Sequence, residues 1–259
     1  MINQNPVYII FATVLFMLPS ATLSTPIANS IFQKLIQASG TIFCDGAVRG
    51  SGTHVYNLGQ NYSIIITAAH VLFDKTSGTQ FRNCGYRPNN IRLSEIPFGN
   101  VAKHHYSPIS EDKLQQSEHD IVLVKLKRKL YKPALPLSHG SRFSLQSELY
   151  YRSLRMVAYD EKNDDMEVSP ICSEVRPSNF SNPLLLLHNC ETKAGSSGAA
   201  IIETTSNAVV AIHGGTLIVE RTEGSAKQTQ MQPLAFYRQA RRVDDYILSN
   251  LENYIAKLK

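Results

Sequence analysis

Short β-branched and apolar runs, separated by turn formers, recur through most of this chain and exclude a fold carried by long internal helices. In the first half they are Thr41 to Phe43, Thr53 to Tyr56, Ser63 to Thr67, Ile91 to Leu93 and Ile121 to Leu126, divided by Gly, Asn, Pro and Ser. Each has the length of a strand. A Pro-containing link at Pro133 to Gly140 leads to a second set, Ser147 to Tyr151, Arg155 to Tyr159, Leu184 to His188, Ala199 to Glu203 and Ala208 to His213. Such strands bury their apolar faces against one another, so two all-β halves are expected, and 259 residues suffice for both cores. The period then changes: Val243, Ile247, Leu251, Ile255 and Leu258 recur at three or four residues with polar residues between, which describes an amphipathic terminal helix. The link at 133–140 and the charged stretch Asp160 to Glu167 are the segments expected to be most flexible.

Three short stretches lie at strand ends or turns of this pattern: Thr67-Ala68-Ala69-His70, His119-Asp120 opening an apolar run, and Gly195-Ser196-Ser197-Gly198. A serine hydroxyl is a poor nucleophile at neutral pH unless a base takes its proton, and an imidazole base works best when a carboxylate orients it. His70 and Asp120 are 50 residues apart, and Asp120 and Ser197 are 77 apart, so they can meet only through folding. Glu111, Asp112 and Glu118 are nearby substitutes for Asp120, but none directly opens an apolar strand. The order His, Asp, Ser distinguishes this trio from the other two chain orders in which the same geometry recurs.

On these motifs, and over roughly residues 40 to 240, the chain resembles a trypsin-like (chymotrypsin-fold) serine protease, of the bacterial-type branch similar to glutamyl endopeptidases. The resemblance implies two antiparallel six-stranded β-barrels and a C-terminal α-helix packed on the second. The expected division is a signal peptide at 1–24, a propeptide or N-terminal segment at 25–39, a first barrel at 40–135 with His70 and Asp120, a second at 136–232 with Ser197, and the helix at 233–259. It implies a nucleophile Ser197, a general base His70, an orienting Asp120, and an oxyanion hole from the backbone N–H groups of Gly195 and Ser197. Ser196 stands where animal digestive proteases carry an aspartate, so activation by an N-terminal ion pair is not expected.

Specificity is implied for residues just before Ser197 and on the strand entering His213-Gly214-Gly215. Thr192 and His213 match the residues that bind an acidic side chain in glutamyl endopeptidases. Glu191, one residue before Thr192, instead suits a basic side chain or a pairing with His213. Gly214 and Gly215 would leave a strand edge open to the substrate backbone. Protein or peptide substrates are the expected partners, with a catalytically silent binding protein or an esterase as the rival readings.

The start of the chain is consistent with export. Val7 to Leu18 is charge-free and apolar, too short to span a bilayer comfortably, and followed by Pro19 and small residues, as in a signal peptide. A secreted or periplasmic protein without stable membrane insertion after signal removal is expected. Four cysteines suit such a compartment and permit three pairings. Keeping each bond within one half gives Cys44 with Cys84 and Cys172 with Cys190.

The net charge of +5 is spread out, and the clusters Lys125, Lys127, Arg128, Lys129 and Arg238, Arg241, Arg242 lack interleaved aromatics, so they read as solvated faces and imply no nucleic acid. No CxxC pair, HExxH helix or phosphate loop occurs, so no metal and no cofactor is implied.

Overall fold

The computed structural model describes residues 26–74, 76–89, 95–140, 153–177, 180–220 and 234–258. The signal segment 1–24 and the runs Ile91 to Leu93 and Ser147 to Tyr151 lie outside the described residues.

The first barrel comprises β1 (Ser39–Cys44), β2 (Ala47–Leu58), β3 (Tyr62–Thr67), β4 (Cys84–Pro88), β5 (Ile96–Val101) and β6 (Val122–Leu126), closed in the order β1-β2-β3-β6-β5-β4. The second unit comprises β7 (Ser153–Asp160), β8 (Asp165–Val168), β9 (Cys172–Val175), β10 (Leu185–His188), β11 (Ala200–Glu203), β12 (Ala208–Glu220) and β13 (Leu234–Arg242). Its order β11-β12-β13-β10-β9-β7 returns through a β11–β7 pairing, so six strands close a ring while β8 hangs on β7.

Alternation along the strands sorts side chains between interiors. On β7, Leu154, Met156 and Ala158 join the second barrel's core, and Val157 and Tyr159 join the core shared with the first. On β11, Ile201 faces the former, and Ala200 and Ile202 the latter. The apolar contact between barrels is thus built in part from the outer faces of β7 and of β11, the strand that leaves the Ser197 turn.

Helices α1 (Pro26–Ala38), α2 (Lys113–Glu118) and α3 (Asp245–Leu258) complete the described chain. Pro26 sits in the first turn of α1, where its missing N–H costs nothing. Leu35 and Ala38 are buried in the shared core, and the Ser39 hydroxyl donates to the Leu35 carbonyl. The segment 25–39 therefore contains a packed helix that the strand pattern did not reveal.

Three expectations change. Residues 234–242 form β13, so the second barrel extends beyond 232 and the terminal helix starts at Asp245. That helix docks on the first barrel, where Ile247 and Tyr254 enter the core with Ile64 and Val124, and the Tyr254 hydroxyl donates to the Asn100 carbonyl at 2.7 Å while accepting the Lys125 N–H at 3.2 Å. An apolar stripe specifies that a partner exists, not which barrel supplies it. The two segments expected to be flexible are tied down: Asp160 to Glu167 is the tight β7–β8 hairpin, and in the 133–140 link Leu135 is fully buried and donates to the His54 carbonyl.

Candidate active site

Asp120 reaches the site because α2 stops just before it. Asp112 caps that helix by accepting the Gln115 N–H, Glu118 accepts from Asn182, and His119 ends the last turn, so Asp120 enters β6 with its carboxyl group turned inward. It is 3% exposed. His70 follows β3 in a single 3-10 turn, Ala69–Leu72, and is held to Asp120 twice: its backbone N–H donates to Oδ1 at 2.8 Å and its Nδ1 lies 2.7 Å from Oδ2. A carboxylate only accepts, so Nδ1 carries the proton and Nε2 keeps its lone pair.

The Ser197 turn is fixed by contacts across the barrel junction. Ser51 donates its N–H to the Ser197 carbonyl at 2.7 Å and its hydroxyl to the Gly195 carbonyl at 2.8 Å, and its hydroxyl accepts the Tyr159 N–H. Gly195 and Gly198 have φ of 93° and 81°, a region costly for other residues. A Cβ on Gly198 would also collide with the Ser51 carbonyl and the Thr67 hydroxyl. The Ala194 carbonyl accepts the Glu161 N–H, so the Gly195 N–H across that trans peptide points the opposite way. Among the described residues, neither the Gly195 N–H nor the Ser197 N–H has a hydrogen-bond acceptor.

His70, Asp120 and Ser197 line one cleft of about 660 Å³ with Gly214, Gly215, Thr216, Ile218 and Gln239. A second cleft of about 320 Å³, lined by Arg49, Phe73, Asp74 and Phe81, opens on the other side of His70 and Ser197. An extended chain can therefore pass the serine in both directions.

The family model for the trypsin-like peptidase domain matches residues 50–212. The chain belongs to the trypsin-like peptidase family. Family and fold make this trypsin-like peptidase a serine endopeptidase, a hydrolase. Among solved structures it is similar to a Glu endopeptidase in complex with MPD, at 12% identity and TM-score 0.57 over 85% of this chain and 91% of that one. A thermostable serine protease, AL20, from an extremophilic microorganism matches at 15% identity and TM-score 0.58, over 85% and 97% of the two chains. Kallikrein-related peptidase 10 matches at 13% identity and TM-score 0.57, over 86% and 98%. The sequence matches no curated protein.

The residues read as specificity determinants separate. Gly214 and Gly215 line the cleft, whereas Glu191 lines another cavity with Pro170, Lys193 and Ser196. His213 does not pair with Glu191; its Nδ1 lies 3.1 Å from His188 Nε2, and the two buried rings meet edge to face. Thr192 is half-buried. Ser196 accepts the Lys193 N–H, and the Lys193 ammonium lies 2.8 Å from Asp160 and 2.6 Å from Glu167, so the turn is anchored by an ion-paired lysine at the surface. The Lys193 hydrogen bond lowers the Asp160 pKa. The disulfides are Cys44–Cys84 and Cys172–Cys190, the second closing seven residues before Ser197.

The basic cluster at the end of β13 is not a solvated face. Arg241 and Arg242 are 4% and 1% exposed, and Arg238 is half-buried next to the histidine pair. Its charge is visible only through cross-strand register, which pairs it with His188 on β10 and Thr216 on β12. No spacing in the sequence encodes that neighbourhood.

Burial, helped by the charges of His70 and Arg238, pushes the His213 pKa down from 6.5 to about 4, and burial lowers His188 as well. In the unfolded chain both would bind protons near 6.5, so stability is intact above that pH and falls between 6.5 and about 4. The gap for His213 alone corresponds to about 3 kcal/mol. Urea titrations from pH 7 to pH 4 are expected to give a much flatter stability profile for the His188→Phe/His213→Val variant than for the wild type. Parallel profiles would remove the pair from the account.

Proposed function

We propose that this chain is an exported serine endopeptidase that hydrolyses peptide bonds through an acyl-enzyme on Ser197. The observation that carries the reading is His70 paired with the buried Asp120 beside Ser197, with clefts on both sides. Ser197 Oγ attacks the scissile carbonyl while His70 Nε2 takes its proton, and Asp120 stabilises the imidazolium. The N–H groups of Gly195 and Ser197 receive the oxyanion, a donor pair of which each member contributes about 3 kcal/mol. His70 then protonates the leaving amine, and water attacks the ester by the same relay.

A serine-directed fluorophosphonate is expected to label the protein within the range of about pH 5 to 9 in which a histidine can serve as a general base. No labelling in that window would leave the silent binding protein as the better reading, and esterase activity without amide hydrolysis would narrow the substrate class. Two intrachain disulfides and an apolar leader support export. Among the described residues, no helix is long and apolar enough to cross a membrane.

The substrate side chain before the scissile bond is proposed to be acidic. Arg238 supports this: it stands across from Thr216, a cleft residue, donates only to the Asn189 carbonyl, and has no acidic partner among the described residues. A half-buried guanidinium without a counter-ion favours a carboxylate ligand. Glu191, the residue suited to a basic side chain, faces the other cavity. Peptide libraries are expected to show Glu or Asp preferred over Gln or Asn, with the preference falling at least tenfold in Arg238→Leu. Cleavage after Lys or Arg by the wild type would reverse the assignment.

A further inference from the structure

Gly214 is the extra residue of a bulge between β12 and β13: His213 pairs with Ala240 and Gly215 with Gln239, leaving Gly214 unopposed. Bulges beside active sites re-aim side chains, and here the residue turned toward the site is Gln239. A Cβ on Gly214 would stand 2.8 Å from Asp120 Oδ2 and closer still to Gln239 Nε2. Both groups therefore border one small space, empty because position 214 has no side chain. Gln239 is 4% exposed and lines the cleft, and its Oε1 is buried without a hydrogen-bond partner.

That combination is poorly explained by packing. An apolar side chain of similar size would fill the position without stranding a buried acceptor. The opposite rotamer of the amide would set Oε1 against the Asp120 carboxylate, two acceptors face to face, so the charge of Asp120 selects the orientation with Nε2 toward it. Asp120 has a hydrogen bond from His70 to each oxygen, leaving Oδ2 able to accept one more donor on the Gly214 side.

We propose that Gln239 is a positioning residue of the catalytic pair, its Nε2–H donating to Asp120 Oδ2 across the space left by Gly214. The inference rests on the reading of Asp120 as the carboxylate that orients His70. By sharing the Asp120 charge, the amide lowers the proton affinity of His70 and holds the carboxyl plane in register with the imidazole. The geometry also explains the residue at 214: Gly214→Ala would drive a methyl group into both partners.

The His70 pKa, followed by NMR in the Ser197→Ala protein, reads this contact without requiring turnover. Gln239→Leu is expected to raise it, and Gln239→Glu, which sets a second carboxylate beside Asp120, to raise it further, by a pH unit or more. In the active protein the acid limb of kcat/KM should move up in the same order, with kcat down about tenfold and KM within twofold for Gln239→Leu. Gln239→Asn, which keeps an amide donor at the position, is expected to recover part of the kcat lost in Gln239→Leu. A His70 pKa unchanged by Gln239→Glu in a protein of wild-type melting temperature would overturn the proposal, as would failure of both the shift and the rescue. Absence of labelling at Ser197 would instead overturn the triad reading, and the NMR titration would still decide the Gln239 contact.

Discussion

Ser197→Ala is expected to lower kcat by a factor of about 10⁵ to 10⁶ and to abolish fluorophosphonate labelling, while leaving the melting temperature near the wild-type value. The magnitude follows from what the hydroxyl alone provides. Without Oγ no acyl-enzyme forms, and the remaining acceleration comes from oxyanion donors and substrate binding, which survive the change. The fold is indifferent because the Ser197 backbone does the structural work: its carbonyl accepts the Ser51 N–H at 2.7 Å, and the neighbouring Gly198 N–H donates to the His213 carbonyl at 2.8 Å. The same logic makes the losses non-additive: Ser197→Ala/His70→Ala should be no slower than Ser197→Ala, since the base has nothing left to deprotonate. Active-site titration with single-turnover kinetics measures both. A Ser197→Ala protein that hydrolyses peptides within tenfold of the wild-type rate would place the nucleophile elsewhere.

How much of this was legible in the sequence differs by residue. The strands could be read because β-branched runs and turn formers act locally, and His70, Asp120 and Ser197 could be singled out because each sits at the end of such a run. What the sequence could not carry is register. Arg238 joins the histidine pair, and Gln239 reaches Asp120, only because β13 lies against both β10 and β12 with a bulge at Gly214. Their neighbours are set by cross-strand partners 22 to 52 residues distant in the chain, from Thr216 opposite Arg238 to Leu187 opposite Gln239. The same limit turned a basic run into an apparent solvated face, when two of its three arginines are buried. α1 was missed for a different reason: Ile27, Ile31, Leu35 and Ala38 do recur at three or four residues, but the segment's place between the expected signal peptide and the first strand points to a propeptide rather than to a packed helix.

Arg242→Leu is expected to be the most destabilising single change, by about 3 to 5 kcal/mol. Arg242 is 1% exposed, and among the described residues Nε donates to the Leu185 carbonyl at 3.0 Å, one terminal nitrogen to the Gly140 carbonyl at 2.6 Å, and the other to Glu174 Oε1 at 2.6 Å. It thereby ties the link between barrels and β10 to a carboxylate on β9. Burial alone would raise the Glu174 pKa, but the charges of Arg242 and Arg176 outweigh it and hold the carboxyl below its ordinary value. The pair therefore stabilises the fold above the pKa of an unfolded glutamate and loses that contribution as pH falls through the lower folded value. Leucine at 242 strands a buried charge that only the half-exposed Arg176, 3.2 Å away, still approaches. For a chain of this size the loss corresponds to a fall of roughly 10 °C in melting temperature. Since most of the cost is the stranded carboxylate, Arg242→Leu/Glu174→Leu should recover at least half of it, the two changes sharing one buried site. Calorimetry on the three proteins decides it: equal losses in the single and double variants would assign the stability to the arginine's carbonyl contacts rather than to the ion pair.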